Sequence, residues 1–478
     1  MAEKKCCNSL ETASEKQQIA IIGSGAAAFA CAIKAAEAGA EVTIIEAGVV
    51  GGCCVNVGCI PSKIMIKAAQ LAQQQRKNAY PAIKDNPPVI DRALLSLQLQ
   101  NRVDELRDAK YENIVRSNDN IRLIKGFARF SSINSLKIKK QDGSFDSLYA
   151  DRFLIATGSS PYIPPISGLA DLPYWTSTEA LFATRLPERL LVIGSSVVAL
   201  ELAQAYQRLG TQVTLIARHT LLYREDPELG AGLRIALTDE GMSVFENQKI
   251  HSAEYKDNLF TVSINNQSLQ AEKLLIATGR HANTQSLHLS QVGIETNNSG
   301  EIMVNGKMET SQTHIYAAGD CASMPQFVYV AAAAGTRAAT NMTGGDVSLD
   351  LNTMPAVIFT DPQVATVGLS ENRAKDLGIK TESRTLALEN VPRALVNFET
   401  TGFIKLVIKA NTRVLIGAQI LAHDGGEIVQ TAVLAIHNRM TIEALAAQLF
   451  PYLTLVEGLK LCAQTFNKDV AQLSCCAG

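Results

Sequence analysis

A strand, a glycine turn, a helix and a second strand occur twice in this chain, and no other feature restricts its fold as much. In the first copy, IAIIG reads as a short buried strand and GSGAAAFACAIKAAEAGA as a turn and helix. EVTIIE follows as a second strand ending on Glu46. The turn has the pattern Gly23-x-Gly25-x-x-Ala28, and the acid stands 23 positions after the first glycine. Gly23 permits a tight turn, Gly25 lets backbone approach a pyrophosphate, and small Ala28 lets the helix pack on the sheet. Glu46 can accept hydrogen bonds from a ribose 2'-hydroxyl. Such a fingerprint is weak alone; its place inside a βαβ unit makes it a dinucleotide site.

The second copy is RLLVIGSSVVALELAQAYQRLGTQVTLIARHTLLYRED, with Gly194-Ser195-Ser196-x-x-Ala199 as its turn. Serine replaces the second glycine, which makes close phosphate approach less comfortable without excluding it. No acid follows the second strand. Arg218 does, with Arg224 six residues on. Basic groups there suit a ribose 2'-phosphate and favour NADPH over NADH; the alternative is two solvated surface arginines. Each copy is closed downstream by a strand ending in ATG, at Ala156-Thr157-Gly158 and Ala277-Thr278-Gly279. A further strand, IYAAGD, ends on Gly319-Asp320. It precedes the helical pattern VYVAAAAGTRAATNM, whose amino end could face an electron-rich ring.

At 478 residues and ~100–200 residues per domain, three or four domains or lobes are expected. A net charge of -2 gives no reason to expect nucleic acid or an anionic membrane as partner. No apolar run approaches the ~18 residues of a membrane span, and no signal segment opens the chain. A cytoplasmic location is the default expectation.

Ten cysteines stand at 6, 7, 31, 53, 54, 59, 321, 462, 475 and 476. Three adjacent pairs are unlike an extracellular disulfide scaffold and read as soft-metal ligands or catalytic thiols. Cys31, Cys321 and Cys462 read as buried structural residues. The most telling stretch is GGCCVNVGCIPSK, Gly51 to Lys63, which places Cys54 and Cys59 five apart. Good helix formers follow, so Pro61 falls in the first helical turn. Cys59 then faces the positive end of a helix, which favours thiolate over thiol. A short loop closed by two cysteines, one of them activated, reads as a redox device; the alternative is two buried cysteines near a turn.

From about Gln18 to the end, these motifs resemble the disulfide-reductase flavoproteins of the pyridine nucleotide-disulfide oxidoreductase family, such as glutathione reductase and dihydrolipoamide dehydrogenase. The resemblance implies an α/β chain with two Rossmann-like domains, one for FAD and one for NADPH, and an α+β C-terminal dimerisation domain. The expected boundaries are a disordered tail at 1–17, an FAD domain at 18–160 and 283–350, an NADPH domain at 161–282 and a dimerisation domain at 351–478. By similarity Gly23, Gly25, Ala28, Glu46, Gly51, Thr157, Gly158 and Asp320 would contact FAD. Gly194, Arg218, Arg224 and Gly279 would serve NADPH, and Lys63 and Glu201 would pair beside the flavin ring. Cys59 would lie against the flavin, with Cys54 as the interchange thiol.

One departure is decisive. Members acting on disulfides carry a His-x-x-x-x-Glu pair near the C-terminus, the histidine serving as acid–base partner to the interchange thiol. Here the stretch is FPYLTLVEGLK, with Tyr452 in the histidine's place and Glu457 retained. The last histidine is His437, and without that base a disulfide reductase would shuttle thiol protons poorly. The chain closes on Ser474-Cys475-Cys476-Ala477-Gly478. Together with GGCCVNVGCIPSK and VPRALVNF, this resembles the mercuric reductase group, without the N-terminal GMTCxxC metal-binding domain that many of its members carry.

That resemblance implies NADPH-driven, FAD-dependent reduction of thiolate-bound Hg(II) to Hg(0), conferring mercury resistance. Soft sulfur ligands select Hg(II), and removing it from one thiol pair requires another. Cys475 and Cys476, on a mobile tail serving the other subunit of a homodimer, would pass the metal from small thiols to Cys54 and Cys59. Tyr452 and Tyr111 match positions assigned to the metal site in this group; the alternative for each is a packing role. Cys53, where the pattern has threonine, is either a bystander or an adventitious ligand, and Cys6–Cys7 is expected to be a crude second collector. Two rival functions stay open from sequence: a reductase of glutathione, lipoamide or a related disulfide, and a flavoprotein that sequesters mercury without turnover.

Overall fold

The computed structural model describes residues 16–265 and 267–472. Cys6, Cys7, Cys475 and Cys476 lie outside the described residues. By its contacts the chain divides into two compact units. One is built from parts of 1–56, 105–160 and 281–349, the other from 57–104, 161–280 and parts of 350–478.

The first unit is organised by a five-stranded sheet. Its order is Ile315–Ala317, Arg152–Ile155, Gln18–Ile22, Glu41–Glu46 and Ile121–Lys125, every pair parallel. The central strand reads as an unbroken apolar run because a parallel sheet is covered on both faces, and Ile19 to Ile22 are all buried. One cover is the fingerprint helix Ala26–Glu37 packed on the helix Val328–Met342. Both are rich in alanine, so their axes come close. At Gly335 a side chain would run into the carbonyl of Ala27. A three-stranded antiparallel sheet, Phe127–Ser132, Ser135–Lys139 and Phe145–Tyr149, completes this unit. Lys16 and Gln17, assigned to the disordered tail from sequence, are tied down: Gln17 Nε2 donates to Met342 O at 3.0 Å and Lys16 Nζ to Asn120 Oδ1 at 3.0 Å.

The second unit repeats the plan. A four-stranded parallel sheet runs Ser243–Phe245, Gln212–Ile216, Arg189–Ile193 and Lys273–Ile276, beside a small antiparallel sheet, Ile250–Lys256, Leu259–Ile264 and Gln267–Ala271. The helix Val197–Leu209 follows its first strand and packs on the long helix Cys59–Arg76. The C-terminal part of this unit is a five-stranded antiparallel sheet, ordered Pro355–Ile358, Gln363–Gly368, Leu415–Ala422, Phe403–Lys409 and Thr381–Ala387. Its neighbouring strands Leu415–Ala422 and Phe403–Lys409 are largely buried, Leu415–Ala422 at every position, with the helix Gly425–His437 lying on the sheet. Among the described residues no helix is long and apolar enough to cross a membrane.

Candidate active site

The two nucleotide turns are built alike, and the reason is steric. Gly23 adopts φ +104° and Gly194 φ +131°, a region that L side chains avoid. A Cβ at Gly23 would strike the carbonyl of Ala156, and one at Gly194 the carbonyl of Ala277. Those alanines open the two ATG motifs. Ala156 N–H donates to Ile22 O and Ala277 N–H to Ile193 O, both at 2.9 Å. The ATG repeat is therefore the strand end on which each glycine turn sits, with Thr157 and Gly158 following in one copy and Gly279 in the other.

In the first unit Gly25 caps the helix Ala26–Glu37 without a side-chain hydrogen bond, and no acid occupies the first turn. The opening amides are thus left for an anion. Gly25 also lies against Gly52: a Cβ on Gly52 would come within 2.6 Å of Gly25 Cα. Ala28 is fully buried, as helix-on-sheet packing requires. Glu46 Oε2 accepts from Ser24 Oγ at 2.6 Å and Oε1 from Gly48 N–H at 2.6 Å. Each oxygen keeps lone-pair capacity for a ribose hydroxyl. Ser24, which the sequence reading passed over, also accepts from Gly51 N–H through its carbonyl at 3.1 Å. It thereby joins the acid to the start of the cysteine segment. Asp320 accepts from Ser159 Oγ at 2.8 Å. These glycines, the uncapped helix and the poised acid fit a flavin adenine dinucleotide.

The cysteine segment is not the loop expected from sequence. Cys54 lies in a short helix, Gly52–Val57, and Cys59 opens the helix Cys59–Arg76, with Gly58 between them as N-cap. Gly51 (φ +98°) and Gly52 (φ +67°) form the sharp entry to that first helix. Asn56 fastens it, its Nδ2 donating to Val50 O at 2.9 Å and Gly52 O at 2.8 Å. Pro61 falls in the first turn of the second helix, as expected, and Cys59 sits at its amino end, where negative charge is favoured. Tyr111 belongs to a π-helical turn, Asp108–Glu112. Its ring meets Phe29 edge-on, 4.9 Å between centroids at 89°.

In the second unit, one turn along from Cys59, Lys63 Nζ meets Glu201 Oε2 at 2.6 Å; the glutamate side chain is only 4% exposed. Glu201 Oε1 accepts from Phe359 N–H at 2.9 Å, and the Lys63 ammonium stands 4.6 Å from the Phe359 ring centroid. Phe359 is held in turn from Asp361. Gln204 accepts from Asp361 N–H and donates to Asp361 O, both at 2.8 Å, and Arg208 Nη1 binds Asp361 Oδ2 at 2.9 Å. Glu201, Gln204 and Arg208 share one face of the helix Val197–Leu209, so a buried polar stripe clamps the segment 359–361. Sequence pattern could not supply this, because the partners are about 150 residues apart.

Ser196, in place of the second glycine, caps that helix. Its Oγ accepts from Ala199 N–H at 3.3 Å and donates to Ala277 O at 2.9 Å. Arg218 and Arg224 are exposed and form no ion pair among the described residues, which fits them to an incoming phosphate. Tyr452 is 51% exposed. Glu457 begins the helix Glu457–Gln464, is buried, and has no hydrogen-bond partner for Oε2 among the described residues. Cys31 and Cys462 are fully buried, which pushes both thiols up to about 12, and burial raises Cys321 as well; all three are structural.

Two dinucleotide folds, a cysteine pair at a helix start and a lysine–glutamate pair one turn on define a nicotinamide-linked flavoprotein reductase. Residues 17–335 match the pyridine nucleotide-disulphide oxidoreductase family and 354–463 its dimerisation domain. The chain belongs to that family. It is 61% identical to the mercuric reductase of Shewanella putrefaciens, over 99% of this chain and 86% of that protein. It is 57% identical to that of Shigella flexneri, over 96% and 82%. Among solved structures it resembles the HOCl-induced flavoprotein disulfide reductase RclA of Escherichia coli, with TM-score 0.84, 27% identity, and 94% and 100% coverage. It also resembles LpdA of Mycobacterium tuberculosis, with TM-score 0.85, 27% identity, and 95% and 100% coverage.

Proposed function

We propose that this chain is a mercury(II) reductase, taking Hg(II) from small thiols and releasing Hg(0) at the expense of NADPH. The observation that carries the reading is the close likeness to mercuric reductases along nearly the whole chain, joined to Tyr452 where a disulfide reductase needs a histidine base. FAD, when bound, relays electrons from NADPH to the cysteine pair and to the metal.

The remaining work falls to the protein. The Gly23–Ala28 turn and the amides of the helix Ala26–Glu37 hold the pyrophosphate, Glu46 the ribose, and Asp320, Gly51, Thr157 and Gly158 line the same cofactor. The Gly194–Ala199 turn and Gly279 receive the nicotinamide nucleotide, and Arg218 and Arg224 its 2'-phosphate. Lys63, fixed by Glu201, sets the positive charge beside the flavin ring. A first pair of electrons from NADPH opens the Cys54–Cys59 disulfide, and the pair then stays reduced while a second pair of electrons goes to the metal. As thiolates the two cysteines displace the small thiols from Hg(II) one at a time, because each exchange forms one Hg–S bond as another breaks. Two electrons reduce the bound Hg(II) to an uncharged atom with little affinity for thiolate. Cys475 and Cys476 act as the collecting pair, reaching the partner subunit's site in a homodimer, and Tyr111 and Tyr452 orient the metal. Glu457, retained from the dyad of the disulfide reductases, serves beside Tyr452 in the catalytic group. The FAD, NADPH and dimerisation domains correspond to 18–160 with 283–350, 161–282 and 351–478, and the site of action is the cytoplasm.

The test is NADPH oxidation by the FAD-loaded protein with Hg(II) in excess thiol, against oxidised glutathione and lipoamide. Mercury-dependent oxidation with volatile Hg(0), lost on Cys59→Ser, is expected. Turnover with a disulfide alone would overturn the reading.

A further inference from the structure

Arg218 and Arg224 stand on segment 217–225, which joins the strand Gln212–Ile216 to the helix Pro227–Asp239. The middle of the segment is sunk into the core by Leu221 and Leu222, 2% and 8% exposed. Leu221 N–H also donates to Glu246 Oε1 at 2.6 Å. Arg218 precedes this anchor and is governed by it. Arg224 follows it, inside a turn closed by Glu225 N–H donating to Leu222 O at 2.8 Å, and that turn runs directly into Asp226, 2% exposed.

Asp226 does two things. Its Oδ1 accepts from Glu228 N–H at 3.1 Å, capping the helix Pro227–Asp239. Its Oδ2 meets Lys405 Nζ at 2.9 Å. Lys405 comes from the strand Phe403–Lys409 of the C-terminal sheet, nearly 180 residues away, and its side chain is 5% exposed. The same ammonium binds Glu228 Oε1 at 2.7 Å and Glu371 Oε2 at 2.7 Å. Three N–H donors therefore serve three carboxylates, and among the described residues Lys405 is the cation that pairs with each of them. Without Lys405, buried Asp226 would face two like charges with nothing to balance it, a costly arrangement that relaxes by moving the aspartate.

We propose that Lys405 is a positioning residue for coenzyme recognition: through Asp226 it fixes the far end of segment 217–225 and so aims Arg224 at the 2'-phosphate of NADPH. The inference rests on the reading of Arg224 as a 2'-phosphate ligand. It gives the C-terminal sheet a share in discriminating NADPH from NADH. The effect is selective. Arg224 loses its aim while Arg218, on the near side of the Leu221–Leu222 anchor, keeps its place.

The experiment is calorimetric titration of the FAD-loaded full chain with adenosine 2',5'-bisphosphate and with adenosine 5'-monophosphate, which needs no turnover. The variants are Arg224→Gln, Lys405→Met, Asp226→Asn and the double variant Lys405→Met/Arg224→Gln. Asn keeps the helix cap while removing the charge that Lys405 holds, so it serves where Lys405→Met fails to fold. Each single variant is expected to weaken the bisphosphate by roughly tenfold, the worth of one charge-assisted contact, and to leave the monophosphate unchanged. The double variant is expected to bind no more weakly than Arg224→Gln alone, because both changes remove the same contact. Weakening by Arg224→Gln but by neither Asp226→Asn nor Lys405→Met would overturn the positioning role alone. Equal loss of both nucleotides in the Lys405 and Asp226 variants would reduce the cluster to a structural one. If Arg224→Gln itself changes nothing, the 2'-phosphate reading falls.

Discussion

His423 ought to make the stability of this protein fall between neutral and alkaline pH, and the structure gives the size of the effect. Its Nδ1 lies 3.0 Å from Asp361 Oδ1, while Nε2 faces Asp424 Oδ2 at 3.8 Å and Glu399 Oε1 at 4.0 Å. Arg208 lies on the other oxygen of Asp361 and is itself paired with Glu240, while Arg76 and Lys77 line the same cleft. The hydrogen bond that His423 donates to Asp361 raises the histidine from 6.5 to about 9, helped by the two further carboxylates although burial opposes it. Although burial opposes it, the same bond and Arg208 take Asp361 down to about 2. Both displacements express one contact and are counted once.

With each tenfold change in proton affinity worth ~1.4 kcal/mol, the rise corresponds to roughly 3 kcal/mol. The ring is 25% exposed, and Arg208 still balances Asp361 once His423 is neutral, so about 2 kcal/mol is the better figure. Because the folded state binds this proton more tightly than the unfolded state, the contribution is complete below pH 6.5. It declines as pH rises through about 9 and is gone above. The assay compares denaturation midpoints of the FAD-loaded wild type and His423→Gln at pH 6.5, 8 and 10. Wild type should lead by about 2 kcal/mol at the first pH and converge with the variant at the last. A gap that stays constant, or widens on the alkaline side, would refute the reasoning.

Glu201→Gln keeps an acceptor for Phe359 N–H but removes the charge opposite Lys63. With Lys63 36% exposed, the stability cost should stay near ~1 kcal/mol, while stopped-flow reduction of the flavin by NADPH slows about tenfold. Gly335→Ala drives a methyl into the carbonyl of Ala27 and wedges the two alanine-rich helices apart. Loss of ~1–3 kcal/mol and faster release of FAD on dilution, read by flavin fluorescence, are expected. Tyr452→Phe should slow mercury turnover with the rate of flavin reduction by NADPH unchanged; full turnover would remove the phenol from the mechanism.

What could be read from the sequence was whatever a few adjacent residues decide. Gly23, Gly25, Ala28 and Glu46 fall within one βαβ unit, so their spacing carried the whole turn. The ATG repeats were visible as a pattern, but their cause, an alanine carbonyl packed on each fingerprint glycine, needed coordinates. The segment from Cys54 to Cys59 misled for a local reason: two cysteines five apart look like the ends of a loop, yet they belong to two helices parted only by Gly58. Ser196 looked like a weakened fingerprint, although its hydroxyl takes the capping role that glycine leaves vacant.

The residues that escaped the sequence are buried polar groups whose partners lie far along the chain: Phe359, Asp361, Lys405 and the companions of Glu201. They follow from one physical constraint. The Lys63 ammonium pairs with a Glu201 that is only 4% exposed, and a carboxylate buried to that degree must be fully hydrogen-bonded or it destabilises the fold. Lys63 satisfies one oxygen and the Phe359 amide the other, but that amide belongs to a chain segment that must itself be pinned. Gln204 and Arg208, one and two turns further along the same helix face, do the pinning. The helix Val197–Leu209 therefore combines two tasks: its amino end carries the turn proposed for the nicotinamide nucleotide, and its buried polar face carries the support for Lys63. A substitution at Gln204 or Asp361 would consequently act on flavin reduction without touching either cofactor.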